Sequence, residues 1–485
     1  MRSVKTRVAS LLVAAATVAG SMSAGAVRCL GASEKAVRVG MYLASSSPFS
    51  SYNQAAGGFE IGYSTGRAFV SLGRISNCGV VLLPDVNASL DCASERKKCV
   101  PASGGNIGAY SLTNGKTYGS FAQAQTAAQR YPQGYAAYAG GSFQIRFGSY
   151  ASAAAAQRAL AAYPGCRVAQ PAAGGIRMVD ASTARTLFVY DNGAGAFALR
   201  AAGGGTVKVP VGGNRFDYYG FFEYRASGRS LTMVNVVGLE QYVKSVMAGE
   251  IGTNASVETR KAFSILVRTV PLGKKHAAAG YDVCADSCCQ GYRGTYRQSA
   301  ENDKIVDSTR GQYVTYDGKP IACLYHHSNG GASCSSAAAW GGEAVPYLMS
   351  VPLEEDPAAG AYTWQKAFTE EELYRYLKGR AAFRGISGGL ERVEIVETDP
   401  YGSEYVTALR VVDETGRNIE IRNSEEIRSA LSFTSANFKL TYTMDTEAVT
   451  SSGKMESIRV SRILTADGEQ PVDGFSESYA VWDGS

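Results

Sequence analysis

A carboxylate at the end of an apolar helical stripe is the first candidate for chemistry in this sequence. Apolar residues recur at three- and four-residue spacing, which is typical of an amphipathic helix, at Leu239, Tyr242, Val243, Val246 and Met247. Glu250 continues this stripe, and Gly252 then offers a helix stop. Burial on the stripe would disfavour the charged form, so we predict a raised pKa for Glu250 and a proton available for donation. The alternative is a frayed helix end that leaves Glu250 in solvent.

Three thiols and an imidazole form a second candidate site. Cys284, Cys288 and Cys289 lie within six residues, and His276 lies eight residues upstream of the first of them. Three sulfurs and one imidazole nitrogen satisfy tetrahedral zinc, which favours thiolate ligands. In an exported protein the alternative is a disulfide between Cys284 and Cys289, with Cys288 paired elsewhere.

A histidine pair beside two glycines is the third candidate. The segment 325–331 reads YHHSNGG, and its glycines would let the backbone approach a ligand closely. No G-x-S-x-G elbow surrounds Ser328, which argues against a serine nucleophile there. The alternative is a surface loop with one structural histidine.

Arg268 is the fourth candidate. It lies near the end of a helical pattern over residues 256–270, off the apolar face, and Pro271 ends the pattern. An arginine in that place could anchor a carboxylate or a sugar hydroxyl. Equally, it could be a solvated helix residue or the salt-bridge partner of a nearby acid.

The elements that must position these groups are short strands and helices. Residues 234–237 predict a strand leading into the helix of Glu250, and residues 316–319 predict a hairpin turn. Two Ala/Gln-rich helical patches enclose an alternating segment at residues 143–147, which predicts a βαβ-type insert.

Composition and the N-terminal sequence limit the class of protein to which this chain can belong. The chain has 485 residues, enough for two to four domains, and its 45% hydrophobic and 19% charged content is ordinary for a globular protein. A net charge of +5, scattered along the chain, gives no argument for a nucleic-acid partner. Basic residues before an apolar stretch at 8–20 and an A-x-A site at 24–26 predict a signal peptide and a secreted protein. An uncleaved membrane anchor is the alternative.

At these motifs the sequence resembles the stage II sporulation protein D family, also called SpoIID/LytB. Five ordered motifs carry the resemblance, at residues 235–251, 261–270, 281–290, 309–331 and 340–348. There are departures: Gly238 replaces a common proline, and Cys288 stands where the family usually has a histidine.

The resemblance implies a lytic transglycosylase, active in cell-wall remodelling such as sporulation. Such enzymes cleave the bond between N-acetylmuramic acid and N-acetylglucosamine in peptide-free peptidoglycan strands and leave a 1,6-anhydro end. The catalytic acid of the family matches Glu250, which would serve as acid and then as base, without the second carboxylate of glycoside hydrolases. The family's zinc-type cluster maps onto Cys284 and Cys289, with Cys288 and His276 as further ligands of a structural zinc. The substrate-binding positions implied by the resemblance are Arg268, Tyr325, His326, Ser328, Gly330 and Gly331.

A second, shorter resemblance concerns the insert. Residues 142–160 are similar to the sporulation-related repeat (SPOR) domain, which binds peptide-free peptidoglycan. We therefore expect an α+β protein with a β-rich, multi-part SpoIID-like fold, a small helical catalytic segment and a SPOR-like insert. The expected parts are a signal peptide (1–26), an N-terminal β-rich region (27–110), the SPOR-like insert (115–170), the SpoIID-like domain (180–445, core motifs 233–353) and a C-terminal strand region (446–485).

Two rival functions stay open at this point. The family usually carries a Gly-His motif after a C-terminal strand, and the sequence stops at Ser485, about where that motif would begin. A truncated or divergent end would favour a non-catalytic peptidoglycan-binding protein that recruits or enhances a cell-wall amidase. The other rival is a disulfide-stapled envelope protein without zinc.

Overall fold

The computed structural model divides into two compact units, with the boundary between Leu324 and Tyr325. It describes residues 28–471 except 32–34, 43–46, 96, 192, 194, 212, 327, 354–363, 442–443, 450–454, 461 and 466–467. The predicted signal peptide therefore lies outside the described residues. Among the described residues, no helix is long and apolar enough to cross a membrane.

The first unit contains most of the strands. Strands β1 to β10 are Arg28–Gly31, Ala36–Gly40, Ser51–Gln54, Phe59–Ser64, Phe69–Ile75, Gly79–Pro84, Ala88–Leu90, Cys99–Pro101, Tyr110–Thr113 and Thr117–Tyr118. Strands β11 to β18 are Tyr135–Ala139, Ser142–Tyr150, Arg167–Ala169, Ile176–Asp180, Thr186–Asp191, Ala196–Ala201, Val207–Val211 and Asn214–Tyr218. Strands β19 to β23 are Phe221–Ser227, Ser230–Gly238, Val283–Cys284, Gln312–Tyr316 and Lys319–Pro320. Helices α1 to α5 are Phe121–Ala128, Ala153–Ala159, Leu239–Glu250, Val257–Thr269 and Ala300–Ser308.

Two large sheets of the first unit enclose its main core. One has the strand order β21-β2-β20-β19-β16-β4-β5, and the other runs β13-β9-β12-β11-β15-β14-β6-β3-β17-β18, with β10 beside β12. Fully buried side chains from both sheets share one cluster, among them Val39, Ile61, Leu82, Phe188 and Phe222. Each such side chain contributes about 1.5–3 kcal/mol through its removal from water.

The predicted insert is a βαββαβ unit. Its strands β9, β11, β12 and β13 lie in the order β13-β9-β12-β11 and pair antiparallel, with α1 and α2 as the two crossovers. This is the split βαβ arrangement. Buried Phe143, Ile145 and Phe147 alternate along β12, as the sequence pattern predicts.

The second unit is smaller and also mixed. Its elements are helices α6 to α8 (Ser336–Trp340, Glu370–Lys378 and Ser424–Leu431) and strands β24 to β30 (Leu390–Thr398, Val406–Asp413, Asn418–Arg422, Met444–Val449, Met455–Val460, Arg462–Thr465 and Gly468–Pro471). Strands β24, β25 and β26 form an antiparallel sheet. Its own core includes Leu377, Phe383, Val406, Leu409 and Ile427. The expectation of a strand-rich α+β fold is confirmed, whereas the single 180–445 domain contains the boundary between the two units.

Candidate active site and metal cluster

Glu250 is the last residue of α3, and its side chain is exposed. The five apolar residues of the stripe are buried, but the helix leaves the core in its final turn, where Gly249 is exposed as well. The predicted burial of Glu250 is therefore wrong, and the solvent-exposed alternative describes its position. Oε1 of Glu250 accepts a hydrogen bond of 2.6 Å from the backbone N–H of Gly291.

The two residues that flank Gly291, whose N–H holds Glu250, are both anchored in the fold. The Tyr242 hydroxyl donates to Oε1 of the buried Gln290 at 2.9 Å, next to Gly291. Tyr292 stacks on Tyr242 with ring centroids 5.1 Å apart, and its hydroxyl donates to Oδ1 of Asn235 in β20 at 2.6 Å. Complete burial raises the pKa of Tyr292 well above its usual value, so it stays a neutral donor. The turn presenting the Gly291 N–H is thus fixed to a helix and a central strand.

Gln290 and Gly291 are site residues that the sequence reasoning missed. A Cβ built on Gly291 would lie 2.9 Å from Oε1 of Glu250, closer than real Cβ contacts allow. Glycine therefore permits the close approach of the carboxylate to the backbone. The signal in the sequence was the motif at residues 281–290, which ends on Gln290, the residue before Gly291.

The structure brings together the four predicted metal ligands. One donor atom each from His276, Cys284, Cys288 and Cys289 lies within 4.8 Å of the other three. Sγ of Cys288 is 3.4 Å from Nε2 of His276, and all three cysteines are free thiols. Three sulfurs and one imidazole nitrogen at this spacing fit a tetrahedral zinc ion after a small adjustment of the side chains.

Hydrogen bonds between the sulfurs and strand pairing hold this cluster in place. A hydrogen bond between the two sulfurs lowers the pKa of the Cys289 thiol, and the same bond, together with burial, raises the pKa of Cys284. The backbone N–H of Cys284 also donates to Sγ of Cys289 at 3.4 Å. Strand β21 carries Cys284 and pairs in parallel with β2, opposite Gly40. The cluster is thereby fixed to the edge of the sheet whose strand β20 leads into α3.

Arg268 lies in the interior rather than on the surface of α4. Its side chain is completely buried and forms a two-pronged pair with Glu240, with Nε to Oε1 at 2.9 Å and Nη2 to Oε2 at 2.8 Å. Nη1 donates to the carbonyl oxygens of Ser264 and Gln312, and Nη2 also donates to that of Val306. This placement corresponds to the salt-bridge alternative, because every N–H of the guanidinium has a partner within the fold.

The remaining predicted substrate residues belong to the second unit. Tyr325 and Ser328 are half-buried, and His326 is exposed. Gly330 and Gly331 have φ values of +71° and +106°, a backbone region that favours glycine. His327 lies outside the described residues. The structure does not test a substrate role for this set, which stays a prediction.

Comparisons with known proteins bear on the first unit most directly. A family model described as Stage II sporulation protein (SpoIID) matches residues 227–316, which include Glu250, the metal cluster and Arg268. An uncharacterized protein of Brachyspira hyodysenteriae is 27% identical over 227 residues, which is 46% of this chain and 60% of that protein. The amidase enhancer of Bacillus subtilis is 30% identical over 131 residues, 27% of this chain and 17% of that protein. Stage II sporulation protein D of Bacillus subtilis is 27% identical over 277 residues, 53% of this chain and 71% of that protein. The chain thus covers less than two thirds of the first two of these relatives.

Proposed function

The chain belongs to the stage II sporulation protein D family, and from this we propose that it is a peptidoglycan lytic transglycosylase with Glu250 as general acid and base. The family and the similarity to an amidase enhancer support a function at the cell wall connected with sporulation. The observation that carries the finer proposal is the carboxylate of Glu250, which is open to solvent at a helix end and held by the Gly291 N–H. A polymeric substrate needs such access.

The proposed reaction uses one carboxyl group twice. Glu250 donates its proton to the glycosidic oxygen as the bond from C1 of muramic acid breaks. The carboxylate then takes the proton of the C6 hydroxyl as the C6 oxygen bonds to C1, so the acid is regenerated and no water is consumed.

Cleavage of defined substrates tests this proposal. Purified protein is incubated with peptide-free strands and, separately, with strands that keep their stem peptides, and the products are identified by mass spectrometry. We expect 1,6-anhydro ends from the peptide-free strands. Absence of products from both substrates would overturn the proposed activity.

A second candidate function rests on the similarity to the amidase enhancer. In this alternative the protein binds peptidoglycan without cleaving it and recruits or enhances a cell-wall amidase. Adding the protein to an amidase acting on intact peptidoglycan separates the two functions. If the protein is an enhancer, the wild type and the Glu250→Gln variant should increase peptide release by the amidase to the same extent. If it acts only as a transglycosylase, adding the Glu250→Gln variant should leave the amidase rate unchanged.

Gly291→Ala should misplace the proposed acid. The new Cβ would meet Oε1 of Glu250 at 2.9 Å, so the carboxylate must move. A displacement on the order of 1 Å can cost about 100-fold in rate, and we expect a loss of about 10–100-fold in 1,6-anhydro product formation. Gly104→Ala is the matched control, because a Cβ there has no heavy atom within 4 Å. Equal rates for the two variants would argue against the role of the Gly291 contact.

We further propose that the four-ligand cluster binds a structural zinc ion. Bound zinc would tie His276 to the three thiols and fix the loop that leads into Gln290 and Gly291. The full chain should contain about one zinc per molecule by elemental analysis, as closed structural sites do, and chelation should lower its unfolding temperature. Cys284→Ser should lose the metal, while the control Cys166→Ser, outside the cluster, should keep it. The site would be refuted if the wild-type protein contained no zinc and its unfolding temperature did not change when zinc was added.

A further inference from the structure

A cavity of about 320 Å³ opens in the first unit beside the residues that carry the cluster. Its apolar walls include Val37, Pro271 and Leu272, and its charged lining consists of Lys35, Arg67, Lys274 and Asp282. A volume of this size suits one sugar unit or a comparable small group. None of these residues belongs to the proposed catalytic or metal-binding sets.

Among the described residues, two cations of the cavity have no carboxylate partner. Arg67 and Asp282 pair with each other, since Nη2 of Arg67 is 2.7 Å from both carboxylate oxygens. Asp282 also accepts from the backbone N–H of Arg38 at 3.0 Å, so its charge is already engaged. Lys35 and Lys274 are exposed, and neither forms an ion pair with another described residue. Three cations and one carboxylate give the lining a net charge of +2.

The backbones of both lysines are held in place. The carbonyl oxygen of Lys35 accepts the backbone N–H of Leu239 at 2.7 Å. Lys274 adopts a left-handed conformation with φ of +49°, and its N–H donates to the Pro271 carbonyl at 3.3 Å. Two ammonium groups on fixed supports beside an apolar wall are suited to an anion that also carries an apolar surface.

The cavity is linked to the proposed acid by α3. Leu239, which donates to Lys35, is the first residue of this helix, and Glu250 is its last. At 1.5 Å per residue the two ends are about 16 Å apart along the axis. A single glycan strand of several sugar units can span such a distance.

We propose that this cavity binds a carboxylate-bearing sugar of the glycan strand, namely muramic acid whose lactyl carboxylate is free once the stem peptide is gone. The carboxylate would meet Lys35 and Lys274, and the lactyl methyl group and ring would lie against Val37 and Leu272. This inference rests on the proposed function and deepens it, because it gives a physical reason for a preference for peptide-free strands. A stem peptide converts the carboxylate into a neutral amide and adds bulk at the same atom.

A matched pair of oligosaccharides tests the proposal. Binding is measured by calorimetry for a peptide-free tetrasaccharide of alternating N-acetylglucosamine and N-acetylmuramic acid, and for chitotetraose, which lacks the lactyl groups. The full chain carries Glu250→Gln so that the ligand stays intact. We expect the muramic tetrasaccharide to bind about tenfold more tightly, as charge-assisted contacts allow, and its advantage to shrink at high salt.

The lysines are then removed together. Lys35→Gln combined with Lys274→Gln should abolish the preference and leave chitotetraose binding unchanged, while the control Lys261→Gln, whose partner is Glu258, should retain the preference. Equal affinities for the two oligosaccharides, no binding of either, or a preference that survives the double substitution would overturn the proposal. The outcome is separable from the proposed activity, since the preference can be intact in a protein whose wild type forms no 1,6-anhydro product.

Discussion

Glu250→Gln is expected to lower the rate of 1,6-anhydro product formation by about 10²–10⁴-fold, the range that a positioned general acid and base contributes. Glutamine keeps the size of the side chain and can still accept the N–H of Gly291, but it has no proton to exchange with the glycosidic oxygen or the C6 hydroxyl. Product is quantified by mass spectrometry at matched enzyme concentrations.

Two further measurements make this result specific. Binding of peptide-free strands should be unchanged in the variant, which separates lost chemistry from lost affinity. Glu258→Gln removes another exposed glutamate of the same unit, paired with Lys261, and should retain full activity. A Glu250→Gln protein within about threefold of the wild-type rate would exclude Glu250 as the acid, since even the low end of the expected range is far larger.

Arg268→Met should destabilise the protein by about 3–5 kcal/mol, because it leaves the carboxylate of Glu240 buried without its partner. Arg268 is completely buried and the side chain of Glu240 is 6% exposed, so water cannot replace the lost contacts. The free energy of unfolding is measured by urea denaturation of the full chain. Because the chain has two units, the transition of the first unit must be followed by its own probe.

Comparison variants show whether the unpaired charge of Glu240 causes the loss of stability. Replacing both partners, Glu240→Met with Arg268→Met, should cost less than Arg268→Met alone, since no uncompensated charge remains in the interior. Arg310→Met removes an arginine that is 50% exposed and pairs with Asp307, and it should cost about 0–1 kcal/mol. If Arg268→Met were no more costly than Arg310→Met, the interior pair would not stabilise the first unit as its burial indicates.

Patterns confined to a few neighbouring residues were sufficient to predict several elements. The spacing of Leu239 to Met247 predicted α3, and the residues 316–319 predicted the hairpin between β22 and β23. The predicted metal ligands are also close in sequence, and their donor atoms lie close together in the structure. In each case the geometry is set by local backbone structure, which sequence spacing reflects.

Properties that depend on distant parts of the chain could not be read in the same way. The periodicity of α3 does not indicate where the helix leaves the core, so Glu250 was expected inside and is exposed. The partner of Arg268 is 28 positions away on another helix, and no spacing rule links the two. Gln290 and Gly291 acquire their roles only because the turn after the cluster packs against α3. The strand order of the βαββαβ insert likewise depends on pairing between segments that are distant in sequence.

The most direct test of the central claim is cleavage of peptide-free glycan strands in water enriched in oxygen-18. If Glu250 acts alone as acid and base, the C6 hydroxyl is the nucleophile and solvent oxygen does not enter the product. We predict 1,6-anhydro muramic ends without the isotope from the wild type, and no such ends above background from Glu250→Gln. New reducing ends that carry the isotope and form in place of 1,6-anhydro ends would identify a hydrolase, and unbroken strands would leave the protein without the proposed activity; either result would contradict the account.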